Sequence, residues 1–404
     1  MPTSITPLIA QEAERQANTL SLIASENYAS AAVMQAQGSV LTNKYAEGYP
    51  GRRYYAGATV VDEVEKRAQE LAQQLYQTYY HVNVQPYSGS IANLAAYAAL
   101  LDPGDTVLAM SLSQGGHLTH GHDASFTSTL YQFVHYGVDA TTELLDYDAI
   151  LTLAREVKPK LIVCGATAYP MAIDFGAFVR IARETGAWLM VDMAHLSGLI
   201  AGGGHASPFG HADVITSSTH KTLRGPRGGM IFAKREFAKA IDRAVFPGIQ
   251  GGPLMHVIAA KAVAFEEALE PSFRGYTQQV IKNAQVFAYH LQQHGFRLVA
   301  DGTETHLILL DLRPSPLRGK EAQLLLEQVG LVCNMNSLPF DDQPPTNPSG
   351  LRFGTAAITT RGMKEAEMEK LADCIASVLR DPTTESAVAA TVATLAKKFR
   401  IPSY

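Results

Sequence analysis

Cysteine is scarce in this sequence. Only Cys164, Cys333 and Cys374 occur in 404 residues, far apart and with no CxxC pair. An odd, scattered set argues for reduced thiols and a cytosolic protein rather than a disulfide framework. Charge of one sign is also scarce. A net charge of -5 speaks against general binding to nucleic acid or to an anionic membrane, although a local basic patch remains compatible with it. Long apolar runs are missing: the best candidate, LMVDMAHLSGLIAGGG, is broken by Asp192 and His195. The first residues, MPTSITPLIAQEAERQ, lack the basic-then-apolar pattern of a secretory signal. No internal repeat, low-complexity tract or GxxxxGK[ST] loop is found, and the glycines make no convincing GxGxxG. These absences remove the P-loop, secreted-scaffold and membrane-spanning classes.

What is present is a regular alternation of short apolar runs and helical stretches. VNVQP, TVLAM, YQFVHYG, KLIVCG, AWLMVD, DVITSS and GMIFAK read as strands, with IANLAAYAALL, YDAILTLAREV and FGAFVRIARETG as helices between them. Strands that are apolar nearly throughout belong in a sheet covered on both faces. The repetition predicts an α/β fold with a mostly parallel seven-stranded sheet. Ligands in such sheets bind beyond the carboxyl ends of the strands. Residues 61–76 space Val64, Ala68, Leu71 and Leu75 like one helix face, and residues 12–22 read as a helix or arm. From about Pro271 a long helix leads into HLILLDL, GKEAQLLLEQVG, LVCNMNSLP and LRFGTAAIT, a smaller α+β domain, with SAVAATVATLAKKF as a final helix. The expected division is an N-terminal arm and active-site loop over residues 1–50, a large domain over 51–275 and a small domain over 276–404.

Four segments carry chemistry. YSGSIAN follows a strand and opens a helix, where small residues with unpaired N–H groups suit a phosphate; a plain helix cap explains the serines equally well. VDMAH puts Asp192 at the end of an apolar strand, where a carboxylate needs a partner; a turn cap or a cationic group of a ligand would serve. STHKTLRGPRGG follows the strand DVITSS, and a lysine at a strand end facing a cleft can form a Schiff base with an aldehyde. Lys221, Asp192 and Ser88-Gly89-Ser90 together supply what pyridoxal phosphate requires: an amine, an acid for the pyridinium nitrogen and donors for the phosphate. GGHLTHGHD carries His117, His120 and His122. Their spacing matches no zinc pattern, so no metal is expected; one ring is read as stacking on a planar cofactor and the others as ordinary loop histidines.

LIASENY, LTNKYAEGYPGRRYY, NVQPYSGS, GGHLTHG, VDMAHLSGLIA, THKTLRGPRGG, FPGIQGGPLMH and SGLRFGTAAIT resemble blocks of serine hydroxymethyltransferase, a fold-type-I pyridoxal phosphate enzyme family, over almost the entire chain. The resemblance implies Lys221 as the Schiff-base lysine, Asp192 on the pyridine nitrogen and His117 stacked on the ring. It implies Thr167, where the family usually has Ser, near the phenolic oxygen, and Ser88, Gly89 and Ser90 on the phosphate, helped by Tyr45 and Gly251-Gly252 of a neighbouring subunit. It further implies His195 near cofactor and substrate carboxylate, Arg352 gripping that carboxylate, and Ser25 and Tyr55 on the substrate side. The resemblance implies Glu47 as the proton-transfer acid and His220 as a position linked to reaction specificity. Leu112, Gly116, His117, Leu118 and Asn336 match the folate site. A cytoplasmic homodimer with shared sites, or a tetramer, follows, needing neither membrane nor nucleic acid.

The sequence also departs from the family pattern. Ile91, Ile249, Pro170, Ser217, Ser218 and Ala356 replace the usual residues. The loop QPPTNPSG puts Pro344, Pro345 and Thr346 where a Ser-Pro-Phe run that touches folate is usual, and HDASFTS replaces the usual stretch after GGHLTHG. The pyridoxal phosphate side is complete and the folate side altered. Two enzyme readings follow: serine/glycine interconversion with tetrahydrofolate, or a related aldol-type reaction on β-hydroxy or α-methyl amino acids, such as allo-threonine and α-methylserine, with little or no folate. A module that uses the Lys/Arg loop to bind RNA or another anion is a third reading, from a different class.

Overall fold

The computed structural model describes residues 4–402. All seven expected strands form one sheet: β1 (His81–Asn83), β2 (Thr106–Met110), β3 (Gln132–Tyr136), β4 (Leu161–Cys164), β5 (Trp188–Asp192), β6 (Val214–Ser218) and β7 (Gly229–Ala233). Their order is β1-β7-β6-β5-β4-β2-β3, parallel from β6 to β3, with β7 antiparallel to both of its neighbours. β4, β6 and β7 are buried at every position, as expected of strands covered on both faces. The crossover helices start where the sequence supplies caps. The Asp146 carboxylate accepts from Asp148 and Ala149 N–H, and that of Asp174 accepts from Ala177 N–H. Register decides what meets at the carboxyl ends: Asp192 of β5 lies beside Thr216 of β6, and Ser218 beside Gly229 of β7.

Contacts divide the chain into two units. One runs from Ala29 to Gln278; the other joins the residues up to Tyr28 with those from Gln279 onward. This differs from the expected arm over residues 1–50. Leu20–Ser21 pairs in parallel with Leu331–Val332, and Leu22 O accepts from Gly354 N at 2.7 Å, so the first segment belongs to the C-terminal unit. The helix Ala31–Gln37, by contrast, packs against Met255–Leu269 in the large unit. The expected helix over residues 12–22 is instead Thr6–Asn18 followed by that short strand. Leu20 N is captured by Gly330 O at 2.8 Å, so tertiary pairing ends the helix.

The smaller unit has a four-stranded antiparallel sheet made of β8 (Arg297–Leu298), β9 (Leu307–Asp311), β10 (Asn334–Asn336) and β11 (Gly350–Gly354), in the order β8-β9-β11-β10. Helix Glu365–Arg380, which the sequence reading did not pick out, and the C-terminal helix Glu385–Lys398 pack on its core through Leu371, Ile375 and Val392. Arg361 ties this unit together. Its guanidinium donates to Thr19 O at 2.6 Å, Ala396 O at 2.8 Å and Phe399 O at 2.5 Å, meeting the carbonyls at two helix C-termini where cations are favoured.

Candidate active site

At the carboxyl end of β5 the Asp192 carboxylate is engaged by three protein donors. Its Oδ2 receives Asn93 Nδ2 at 2.8 Å and His120 Nε2 at 3.2 Å, and its Oδ1 receives Ala194 N at 3.0 Å. His117 N donates to His120 Nδ1 at 3.2 Å. That nitrogen therefore carries no proton, and Nε2–H is the donor aimed at Asp192. Asn93 is itself held by Thr119 Oγ1 at 2.8 Å and by the Thr216 hydroxyl, which donates to its Oδ1 at 2.6 Å. Burial acts to raise the carboxyl, but the hydrogen bond and electrostatic pull of His120, with His117 and Asn93, hold it well below the usual carboxylate range. Asp192 is an ionised anion inside the protein.

The lysine loop lies one strand over. Lys221 follows β6 by three residues and is 9% exposed. The loop is closed by Thr219 N to Gly228 O at 3.1 Å, Gly225 N to Thr219 O at 2.7 Å and Thr219 Oγ1 to Pro226 O at 2.6 Å. Arg224 adopts a left-handed conformation with its guanidinium 4.1 Å from the Tyr276 ring centroid, a packing role. Arg227 is exposed and acts electrostatically on His220. The Thr222 hydroxyl donates to His195 O at 3.0 Å and accepts from Gly198 N, tying the lysine loop to the turn after Asp192.

His117 stands in the field of both groups. Burial lowers it to about 4, with His120 and Lys221 lowering and Asp192 raising it. Its Nδ1 accepts from Thr119 N at 3.2 Å, so the ring is neutral near pH 7. Burial, with Arg227 and Lys221, brings His220 to about 3; its buried Nδ1 has no hydrogen-bond partner among the described residues. The loop bearing Leu112, Gly116, His117 and Leu118 is pressed against the strand ends. A Cβ on Gly116 would lie 2.1 Å from Met110 O, and one on Gly165 2.2 Å from Asp192 O. Gly115 O accepts Thr167 N at 2.7 Å, which brings Thr167 to the same rim. Leu118 is exposed and Leu112 half-buried.

Ser88 caps helix Gly89–Leu100, its hydroxyl accepting from Ile91 N at 3.2 Å. Helix geometry leaves Gly89 and Ser90 N–H without intrahelical acceptors, so both the cap and the anion-site readings describe this turn. Tyr45, Glu47 and Tyr55 come together on a neighbouring loop: Tyr45 OH donates to Glu47 Oε1 at 3.3 Å and its ring is 5.1 Å from that of Tyr55. A Cβ on Gly251 would meet Glu47, and one on Gly252 the Tyr45 ring, so these glycines face the same loop. Tyr87 OH donates to Gly252 O at 2.7 Å. Buried Arg53 holds the loop, bonding Glu65 at 2.6 Å, Asp62 at 2.8 Å and the Ala46 and Gly48 carbonyls.

On the smaller unit, Arg352 is 7% exposed and donates to Asn334 Oδ1 at 3.1 Å; burial lowers its guanidinium to about 10, still charged at neutral pH. Half-buried Ser25 follows Ala24, against which Gly354 packs. Asn336 donates to Ser337 O at 2.6 Å.

The sequence reading missed Asn93, Thr119 and His120. Reading His120 as an ordinary loop histidine is corrected: it is 1% exposed and bonded to Asp192. Its spacing, three residues after His117, was the available signal. Among the described residues no group of three His, Cys, Asp or Glu side chains is placed to hold a metal, and no helix is long and apolar enough to cross a membrane.

The two depressed histidines set a pH dependence. An unfolded histidine binds a proton below about pH 6.5, whereas folded His117 and His220 resist doing so down to about 4 and about 3. Their contribution to stability is therefore full above about pH 6.5 and falls on acidification at up to about 1.4 kcal/mol per pH unit per histidine. Asp192 adds to the loss only below about pH 4. Urea unfolding at pH 7, 6 and 5 should show a falling midpoint, with a shallower slope in His220→Asn; an identical slope in the variant contradicts this assignment.

A family model described as serine hydroxymethyltransferase matches residues 2–375. That family is pyridoxal phosphate-dependent and of fold type I, in keeping with the seven-stranded sheet and the lysine and aspartate at its strand ends. The chain belongs to the serine hydroxymethyltransferase family.

Proposed function

We propose that the protein interconverts L-serine and glycine, passing the one-carbon unit to tetrahydrofolate, with pyridoxal phosphate as cofactor. The observation that carries this reading is the ionised, internally bonded Asp192, placed so that one neutral imidazole, His117, lies in the field of both it and Lys221. The donor set fits the cofactor: a carboxylate for a protonated ring nitrogen, an amine for an aldehyde, a flat neutral imidazole for the ring, and a helix N-terminus with Ser88, Gly89 and Ser90 for the phosphate. When bound, the cofactor supplies an electron sink for cleavage at the amino acid's α-carbon.

The protein's own groups do the rest. Arg352 binds the substrate carboxylate through its planar, two-donor guanidinium, with His195, Ser25 and Tyr55 as further substrate contacts. Glu47, hydrogen-bonded by Tyr45, moves the proton. Thr167 offers a hydroxyl to the cofactor's phenolic oxygen, and His220, kept uncharged, adds no second cation beside Lys221. Leu112, Gly116, His117, Leu118 and Asn336 are the proposed folate contacts. The working form is a homodimer in which Tyr45, Glu47 and Tyr55, with Gly251 and Gly252, serve the partner's site. Supporting this, Val40, Tyr54 and Val60 are 79%, 74% and 72% exposed, large apolar side chains that a second copy would cover.

The purified protein with pyridoxal phosphate is expected to be yellow, and Lys221→Ala to lose the visible band and reduce serine cleavage to background. Tetrahydrofolate should strongly stimulate the wild-type reaction. Equal rates without it, together with turnover of allo-threonine or α-methylserine, would move the assignment to the folate-independent aldol reaction. Sedimentation equilibrium should show a dimer or a higher even oligomer; a fully active monomer contradicts the shared site.

A further inference from the structure

Lys261, in helix Met255–Leu269, is 1% exposed, and its charge has no use in the chemistry above. Among the described residues no carboxylate forms an ion pair with it. Its Nζ donates instead to three backbone carbonyls: Val84 O at 2.7 Å, Gly229 O at 2.7 Å and Pro86 O at 3.1 Å. An ammonium has three N–H donors, so the group is fully satisfied by these three acceptors. Burial lowers it to about 7, opposed by the more distant Glu65, which itself bonds Arg53 and Gln85. The desolvation cost of such a charge is large unless every donor is engaged. A methionine would fill the space without it, so the donors call for an explanation.

The three carbonyls identify what is held. Val84 and Pro86 lie on the segment that leaves β1 and becomes Tyr87-Ser88-Gly89-Ser90. Gln250 fixes the same segment from its side chain, accepting from Tyr87 N at 2.9 Å and donating to Gln85 O at 3.0 Å. Three successive carbonyls before the turn, those of residues 84, 85 and 86, are thus tied down by two buried side chains. Gly229 completes the contact. Its N donates to Pro86 O at 3.0 Å, and a Cβ there would lie 2.3 Å from Ser88 O and 3.0 Å from Gly89 N. The turn therefore rests on β7, and the ammonium sits where the two backbones meet.

We propose that Lys261 is the positioning residue of the phosphate cradle: by joining the carbonyls of Val84, Pro86 and Gly229 it fixes the direction in which the N–H groups of Gly89 and Ser90 point. The assignment rests on the reading of Ser88–Ser90 as the phosphate site. It predicts a selective defect, because a misdirected cradle weakens the hold on a phosphate and leaves the aldehyde-binding lysine in place.

The test compares pyridoxal phosphate with pyridoxal, which lacks the phosphate, by titrating cofactor-depleted protein and following absorbance. Wild type should prefer pyridoxal phosphate strongly. Lys261→Met should reduce that preference at least tenfold while changing pyridoxal affinity less than threefold. Gly228→Ala provides a second variant that keeps the ammonium but displaces it, since the new Cβ would lie 2.5 Å from Lys261 Cε; it should give a smaller loss of the same kind, and it carries the test should Lys261→Met fail to fold. An unchanged preference in the variants, or an equal loss for both ligands, overturns the positioning role. Absence of any preference in wild type overturns the cradle itself, and the two failures are distinguishable.

Discussion

A carboxylate buried at the end of a strand and obliged to stay ionised is the constraint on which this site depends. Asp192 accepts three hydrogen bonds, from a side-chain amide, an imidazole and a backbone N–H. The two side-chain donors are each oriented by further partners: His120 by the His117 backbone, Asn93 by Thr119 and Thr216. A helix, a histidine loop and two adjacent strands must therefore be in register before the anion is stable. Once it is, the same network favours a cation beside it and leaves His117 neutral, the electrostatic condition for a protonated heteroaromatic ring.

The surrounding backbone is shaped to allow this density. Gly116 and Gly165 pass so close to strand-end carbonyls that a side chain would collide with Met110 or Asp192. At the carboxyl end of β1, Lys261 and Gln250 hold the approach to the Ser88 turn through its carbonyls. Arg53 does the same for the loop of Tyr45, Glu47 and Tyr55, with Glu65 as its buried counter-charge. Three buried polar side chains remote from the proposed chemistry thus place two segments proposed to perform it, and each engages backbone carbonyls or N–H groups.

Much of this was legible in the sequence because the large sheet is made of continuous apolar runs, and such runs announce strands covered on both faces. All seven were readable, as were Lys221 and Asp192, since each stands just where an apolar strand ends. The supporting residues were not. Asn93 and Lys261 lie inside helices whose pattern marks them only as internal positions, and nothing local says that a polar group there is bonded across the sheet. Glu65 interrupts the helix face read from Val64, Ala68, Leu71 and Leu75; it is buried while Val64 is only half-buried, because its partner Arg53 comes from a separate loop. The N-terminal segment was misjudged for a similar reason: its helix ends where Gly330, far away in sequence, captures Leu20.

The central claim is that Asp192 is an anion built to face a protonated ring nitrogen. Nitrogen-15 resonance of bound pyridoxal phosphate labelled at that nitrogen tests it most directly. The account predicts a protonated nitrogen in the wild-type protein across neutral to mildly alkaline pH and its loss in Asp192→Asn. An unprotonated nitrogen in wild type at neutral pH, or one indifferent to that substitution, would contradict it.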